Sequence, residues 1–167
     1  MNTQTARQRG GSSPLLLFGL LLLVGLGATV WWVARHAGAP AGPVDPVWDR
    51  EACAHCRMHV SEPGFAAQLH TPDGEVLFFD DPGCLFAYLD EHPALHPTHM
   101  WFHHVREPRW IPADRVCFVR VSPTPMGYGL GAVDRPEPGS LTLEQARERV
   151  RNPERARRET DRAEDRP

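Results

Sequence analysis

Of the 167 residues, 41% are hydrophobic, 8% aromatic and 23% charged, which suits one globular domain with appendages. All 18 basic residues are arginine, against 21 acidic ones, for a formal net charge of −3. Residues 48–133 hold 6 Arg against 11 Asp and Glu, and a mildly acidic domain without a basic face argues against nucleic acid as a partner.

In chain order, residues 1–14 carry Arg7 and Arg9 and read as a cytoplasmic N-terminus. Residues 15–34 (LLLFGLLLLVGLGATVWWVA) run for 20 positions without a charge. At 1.5 Å per helical residue they would cover about 30 Å, the thickness of a hydrocarbon core. Trp31 and Trp32 stand near the end, where interfacial indoles belong. The stretch is longer than the apolar part of a signal peptide, and Pro40 would hinder cleavage after Ala37-Gly38-Ala39. The expectation is an uncleaved single-pass anchor in a bacterial inner membrane. The basic residues before the span place the following domain in the periplasm or outside the cell.

Residues 35–47 form a Pro-rich linker, with Pro40, Pro43 and Pro46 spaced by three as in a polyproline II spacer. The folded domain is expected over residues 48–150. Residues 65–70 (FAAQLH) and 75–79 (EVLFF) flank the turn Thr71-Pro72-Asp73-Gly74 and predict a hairpin. Asp80-Asp81-Pro82 then opens a helix over residues 82–91, because Asp caps free N–H groups and Pro suits the first turn. Residues 99–105 and 115–121 read as further strands, and Ser140 or Thr142 caps a second helix through Val150. The fold class is α+β, a small antiparallel sheet domain of two related strand–strand–helix units, preceded by one transmembrane helix. Residues 151–167 are a charged tail; residues 144–166 hold 8 Arg and 7 acids and read as a solvated helix end passing into disorder.

The chemistry centres on Cys53-Ala54-His55-Cys56-Arg57-Met58-His59. Arg57 follows the second Cys where c-type haem attachment needs His, and Cys84 and Cys117 are too far apart to complete a four-cysteine zinc pattern. In an extended segment Cys56 and Met58 would point the same way, joining a thiolate and a thioether, a soft donor pair that selects Cu(I). Met126 adds a third sulfur, presented on a loop between two prolines and two glycines in Ser122-Pro123-Thr124-Pro125-Met126-Gly127-Tyr128-Gly129. Cys53, His55 and His59 are possible additional ligands. Cys84 and Cys117 read as buried small hydrophobes or as one disulfide. His103 and His104, on a strand, should face opposite ways and serve structural roles.

Taken together, His55-Cys56-Arg57-Met58, Phe79-Asp80-Asp81-Pro82-Gly83-Cys84, Trp110-Ile111-Pro112-Ala113 and Thr124-Pro125-Met126-Gly127-Tyr128-Gly129 resemble the NosL family of bacterial copper-binding accessory proteins linked to nitrous oxide reductase maturation. The resemblance covers about residues 50–150. It implies an α+β fold and a Cu(I) site, with Cys56, Met58 and Met126 as the metal ligands. Family members are commonly lipoproteins with one cysteine in the Cys-x-Met element, whereas this chain has an apolar helix and adds Cys53. The expected function is a membrane-anchored metallochaperone, not an enzyme, that passes copper to a recipient copper enzyme such as nitrous oxide reductase or a terminal oxidase, or exchanges it with a copper transporter. The competing readings are a membrane-anchored thiol-disulfide oxidoreductase using Cys53 and Cys56, and an interaction module without metal.

Overall fold

The computed structural model describes residues 14–36 and 40–154; the expected cytoplasmic segment up to residue 13 and the tail from residue 155 lie outside them. The chain divides into two units, Met1–Ala37 and Gly38–Pro167. In the first, Pro14–His36 forms helix α1, opened by a proline that loses no hydrogen bond there. Leucines on every side of it, from Leu16 to Leu26, are exposed. Side chains of α1 are described over residues 16–32 besides Pro14, and within those bounds no helix is long and apolar enough to cross a membrane.

The second unit is α+β. Ala67–His70 (β1) and Val76–Phe79 (β2) form the hairpin expected around Thr71-Pro72-Asp73-Gly74, with Gly74 at a φ of 92° that favours glycine. Helix α2, Pro82–Glu91, starts on the Asp81 side chain, which accepts from the Gly83 N–H at 2.8 Å. Strands His99–His103 (β3) and Trp110–Pro112 (β4) complete an antiparallel sheet in the order β2-β1-β3-β4. Cys117–Arg120 (β5) and Leu130–Val133 (β6) form a separate antiparallel pair. Helix α3, Leu143–Arg151, opens with a capping box between Thr142 and Gln145. Strand–strand–helix order thus occurs as β1-β2-α2 and again as β5-β6-α3.

Alternation along β1 sends Ala67 and Leu69 into a core that includes Phe79, Phe86, Phe102, Phe118 and Leu130. The rings of Phe86, Phe102 and Phe118 meet one another at 5.1–5.7 Å. Gln68 and His70 point the other way and are equally buried, His70 Nε2 lying 3.1 Å from Gln68 Oε1. Part of the expected spacer covers them. The Gln68 amide accepts from the Val44 N–H and donates to the Val44 carbonyl, both at 2.9 Å, and Asp45 accepts from the Trp110 indole at 2.8 Å. Residues 44–46 are therefore a strap on the domain. His103 and His104 are both buried, contrary to the expected alternation, because β3 ends at His103 and His104 pairs instead with Ala132.

Candidate metal centre

Residues 49–60 fold into a narrow arch. The Asp49 N–H donates to Val60, the Val60 N–H to Glu51, and the Cys53 N–H to Met58 at 2.8 Å. Within the tip the Arg57 N–H donates to the Cys53 carbonyl at 3.0 Å, and the turn closes with Arg57 in the left-handed region at φ 66°. The Ala54 N–H fixes the tip to the Phe78 carbonyl of β2, the outer strand of the sheet. This staple sets Cys53 and Cys56 against the start of α2, whose first turn carries Cys84.

Three sulfurs converge as a result. The Sγ atoms of Cys53, Cys56 and Cys84 all lie within 4.8 Å of one another. Cys53 and Cys84 are fully buried and Cys56 is half-buried, so the cluster opens to solvent on the Cys56 side. All four cysteines are free. Cys117 sits on β5 opposite Val133 rather than in the cluster, so the disulfide considered for Cys84 and Cys117 does not form.

Hydrogen bonding divides the three thiols. The Cys84 thiol is the main donor to the Cys53 sulfur, and backbone amides of Asp80, Cys56 and His55 add to it. Together they outweigh burial and lower the Cys53 thiol to about 5. Cys84 is pushed up, first by donating that bond and then by burial. Cys56 is pushed up chiefly by burial, against a bond from the Met58 amide. Of the three thiols, Cys53 is thus the one its neighbours favour as thiolate, and binding a metal through all three sulfurs releases protons.

The expected histidine ligands His55 and His59 lie outside the three-sulfur group. Arg57 breaks the extended geometry on which the Cys56–Met58 alignment relied, and Met58 stays 60% exposed. Met126 is 39% exposed on the loop between β5 and β6, where its N–H donates to Asp81 Oδ2 at 3.3 Å. The Tyr128 ring from the same loop lies against Gly83, where an added Cβ would fall 2.1 Å from the ring's Cγ. His55 turns its Nε2 to Glu91 at 3.2 Å, while its Nδ1 is buried without a protein partner. His59 is exposed, its backbone bridged to Ala52. Cys84 is the residue that sequence reasoning missed. The Asp81-Pro82 start fixes its place in the first turn of α2, but nothing local marks its approach to Cys53 and Cys56.

No family model and no curated protein matches the chain. Among solved structures it is similar to the crystal structure of the copper chaperone NosL from Shewanella denitrificans, at 21% identity over 66% of this chain and 87% of that one, with a TM-score of 0.46. A likeness of that size transfers no residue role.

Proposed function

We propose that this chain is a Cu(I)-binding metallochaperone whose cargo is held by Cys53, Cys56 and Cys84. The observation that carries the reading is the mutual approach of three sulfurs within 4.8 Å, two of them buried. Three thiolates are soft, polarizable donors that favour Cu(I), an ion content with three ligands. Structural zinc takes four, and among the described residues no His, Asp or Glu atom joins the three sulfurs. Such a protein binds and releases an ion without turning over a substrate.

The finer parts of the proposal rest on the sequence. Residues 15–34, which lie within α1, anchor the chain in the inner membrane with the copper domain on the outer side. The recipient is a copper enzyme, nitrous oxide reductase or a terminal oxidase being the candidates, or a copper transporter is the exchange partner; both follow from the family resemblance.

A thiol-disulfide oxidoreductase is the second reading, favoured by the lowered Cys53 thiol. An attacking thiolate must reach its substrate, however, and Cys53 is fully buried.

The deciding experiment is an anaerobic Cu(I) titration of the reduced full chain in detergent micelles, with bathocuproine disulfonate as competitor. One equivalent should bind. Cys53→Ser, Cys56→Ser and Cys84→Ser should each weaken binding beyond the about 10- to 100-fold typical of outer-shell changes, with Cys117→Ser unchanged. Full binding by Cys84→Ser together with loss in Met126→Leu would replace the triad with Cys56, Met58 and Met126.

A further inference from the structure

The face of the sheet that lies under the strap carries a histidine pair that the cysteine site does not use. His70 of β1 and His99 of β3 stand directly opposite each other across the ladder, so their side chains leave the same face as neighbours. Their ring centres are 6.0 Å apart and the planes cross at 67°, so the rings are not stacked. His70 is fully buried. His99 is exposed in the wall of a groove of about 450 Å³ that it shares with Ala41, Thr98, Trp101 and Asp114.

A chain of hydrogen bonds decides which nitrogen of His70 carries the proton. The Val44 backbone fixes the Gln68 amide, its N–H donating to Oε1 and its carbonyl accepting from Nε2. Oε1 can only accept, so His70 Nε2, 3.1 Å away, holds a proton and donates it. In the neutral ring Nδ1 is then a bare lone pair. It is buried, and among the described residues no donor reaches it. The Pro40 carbonyl lies beside the ring, and it is another acceptor. Burial holds this imidazole below its ordinary range, so at neutral pH the lone pair carries no proton.

We propose that His70 Nδ1 and His99 are the ligands of a second metal site, separate from the cysteine cluster, for a divalent ion of the imidazole-binding class, Zn(II), Cu(II) or Ni(II). Water and the Pro40 carbonyl are the oxygen donors beside it. Neutral imidazole suits these ions, and a ligating His typically donates its other N–H to a fixed acceptor, the part Gln68 plays here. Two imidazoles that share an ion through metal–nitrogen bonds of about 2.0–2.1 Å have ring centres about 5–6 Å apart, the separation already present. Its exposure leaves His99 room to turn a ring nitrogen toward the ion, and the carboxylate of Asp114 in the groove favours the approach of a cation. Binding forms two nitrogen–metal bonds, displaces water from the ion and takes no proton from His70. The site stands whether or not the cysteine cluster takes Cu(I).

The test is isotope-edited nitrogen NMR of the histidine rings in the reduced full chain in micelles, titrated with Zn(II). In the metal-free protein, two-bond couplings should show His70 with its proton on Nε2 and a bare Nδ1. Zinc should then move the Nδ1 signal upfield, as a direct bond does, together with one ring nitrogen of His99. Zinc held by the cysteine cluster leaves the Nδ1 signal in place, so the two sites are read apart. His99→Ala, a change at an exposed position, should weaken the His70 response more than about tenfold. A His70 proton found on Nδ1 would overturn the proposal. So would an Nδ1 signal unmoved at millimolar zinc, or a response in His99→Ala equal to that of the parent.

Discussion

Arg147 of α3 closes on Asp90 of α2, its Nη2 2.6 Å from the Asp90 carboxylate, and Arg151 reaches the same oxygen at 2.8 Å one turn later. Arg151 first and Arg147 second hold the Asp90 carboxyl below the ordinary carboxylate range. The folded value being lower than the unfolded one, near 3.9, the contribution of the clamp is complete above that value. It is lost as pH falls through the folded value. Asp90→Asn should therefore lower the urea midpoint at pH 7, and the gap to the parent should close as the pH drops below the folded carboxyl value. Added salt should narrow the gap as well. Midpoints that differ equally at every pH would show that the clamp does not depend on the charge.

Cys53 and Cys56 flank a turn closed by the Arg57 N–H and the Cys53 carbonyl, in a compartment expected to favour disulfides. Two-electron oxidation of that pair by a reagent such as diamide would leave Cys84 as the cluster's last thiol. Copper uptake should fall to background after oxidation and return fully with reductant, measured by thiol count and Cu(I) titration on one sample. Uptake that survives loss of two thiols would mean that the cluster is not the binding site.

Gly83 and Tyr128 are a matched pair. A Cβ at position 83 would overlap the Tyr128 ring near its root, which a rotamer change cannot relieve. Gly83→Ala should destabilise the protein by about 1–3 kcal/mol, the usual cost of overpacking. Combining it with Tyr128→Ala should cost less than the two single changes added together. Denaturant unfolding of the four proteins in the cycle measures this, and simple additivity would separate the two residues.

The anchor is tested by membrane fractionation followed by N-terminal sequencing of the mature protein. The expected result is a membrane-bound chain that retains residues 15–34. A soluble periplasmic protein beginning after Ala34 would make the apolar segment a signal and leave the metal site untouched.

Elements with a local signal were legible in the sequence. The turn after His70, the Asp81-Pro82 helix start and the Thr142 cap each depend on neighbours within four positions. β4 and β6 carry no such signal. β4 is three residues long and ends in Pro112, which an outer strand tolerates. β6, LGAV, is shaped by the packing of Val105 and Val121 side chains within about 3 Å of any Cβ at Gly131, a constraint from distant positions. The same holds at the site. Cys53 and Cys56 announce themselves by spacing, whereas Cys84 joins them because the Ala54–Phe78 bond brings the arch to α2. A contact between residues some thirty positions apart leaves no mark on local pattern.

Val44 supplies both backbone partners of the fully buried Gln68 amide, whose Oε1 also lies 3.1 Å from His70 Nε2. A protease cutting on the C-terminal side of Val44, at the Trp48 boundary for instance, would remove both backbone partners of that amide and leave His70 Nε2 against its Oε1, at a cost of about 1–3 kcal/mol. Trimming of the domain is therefore not neutral. A fragment released by such a cut would be a weaker protein than the one that kept its strap, and one released by a cut before residue 40 would not.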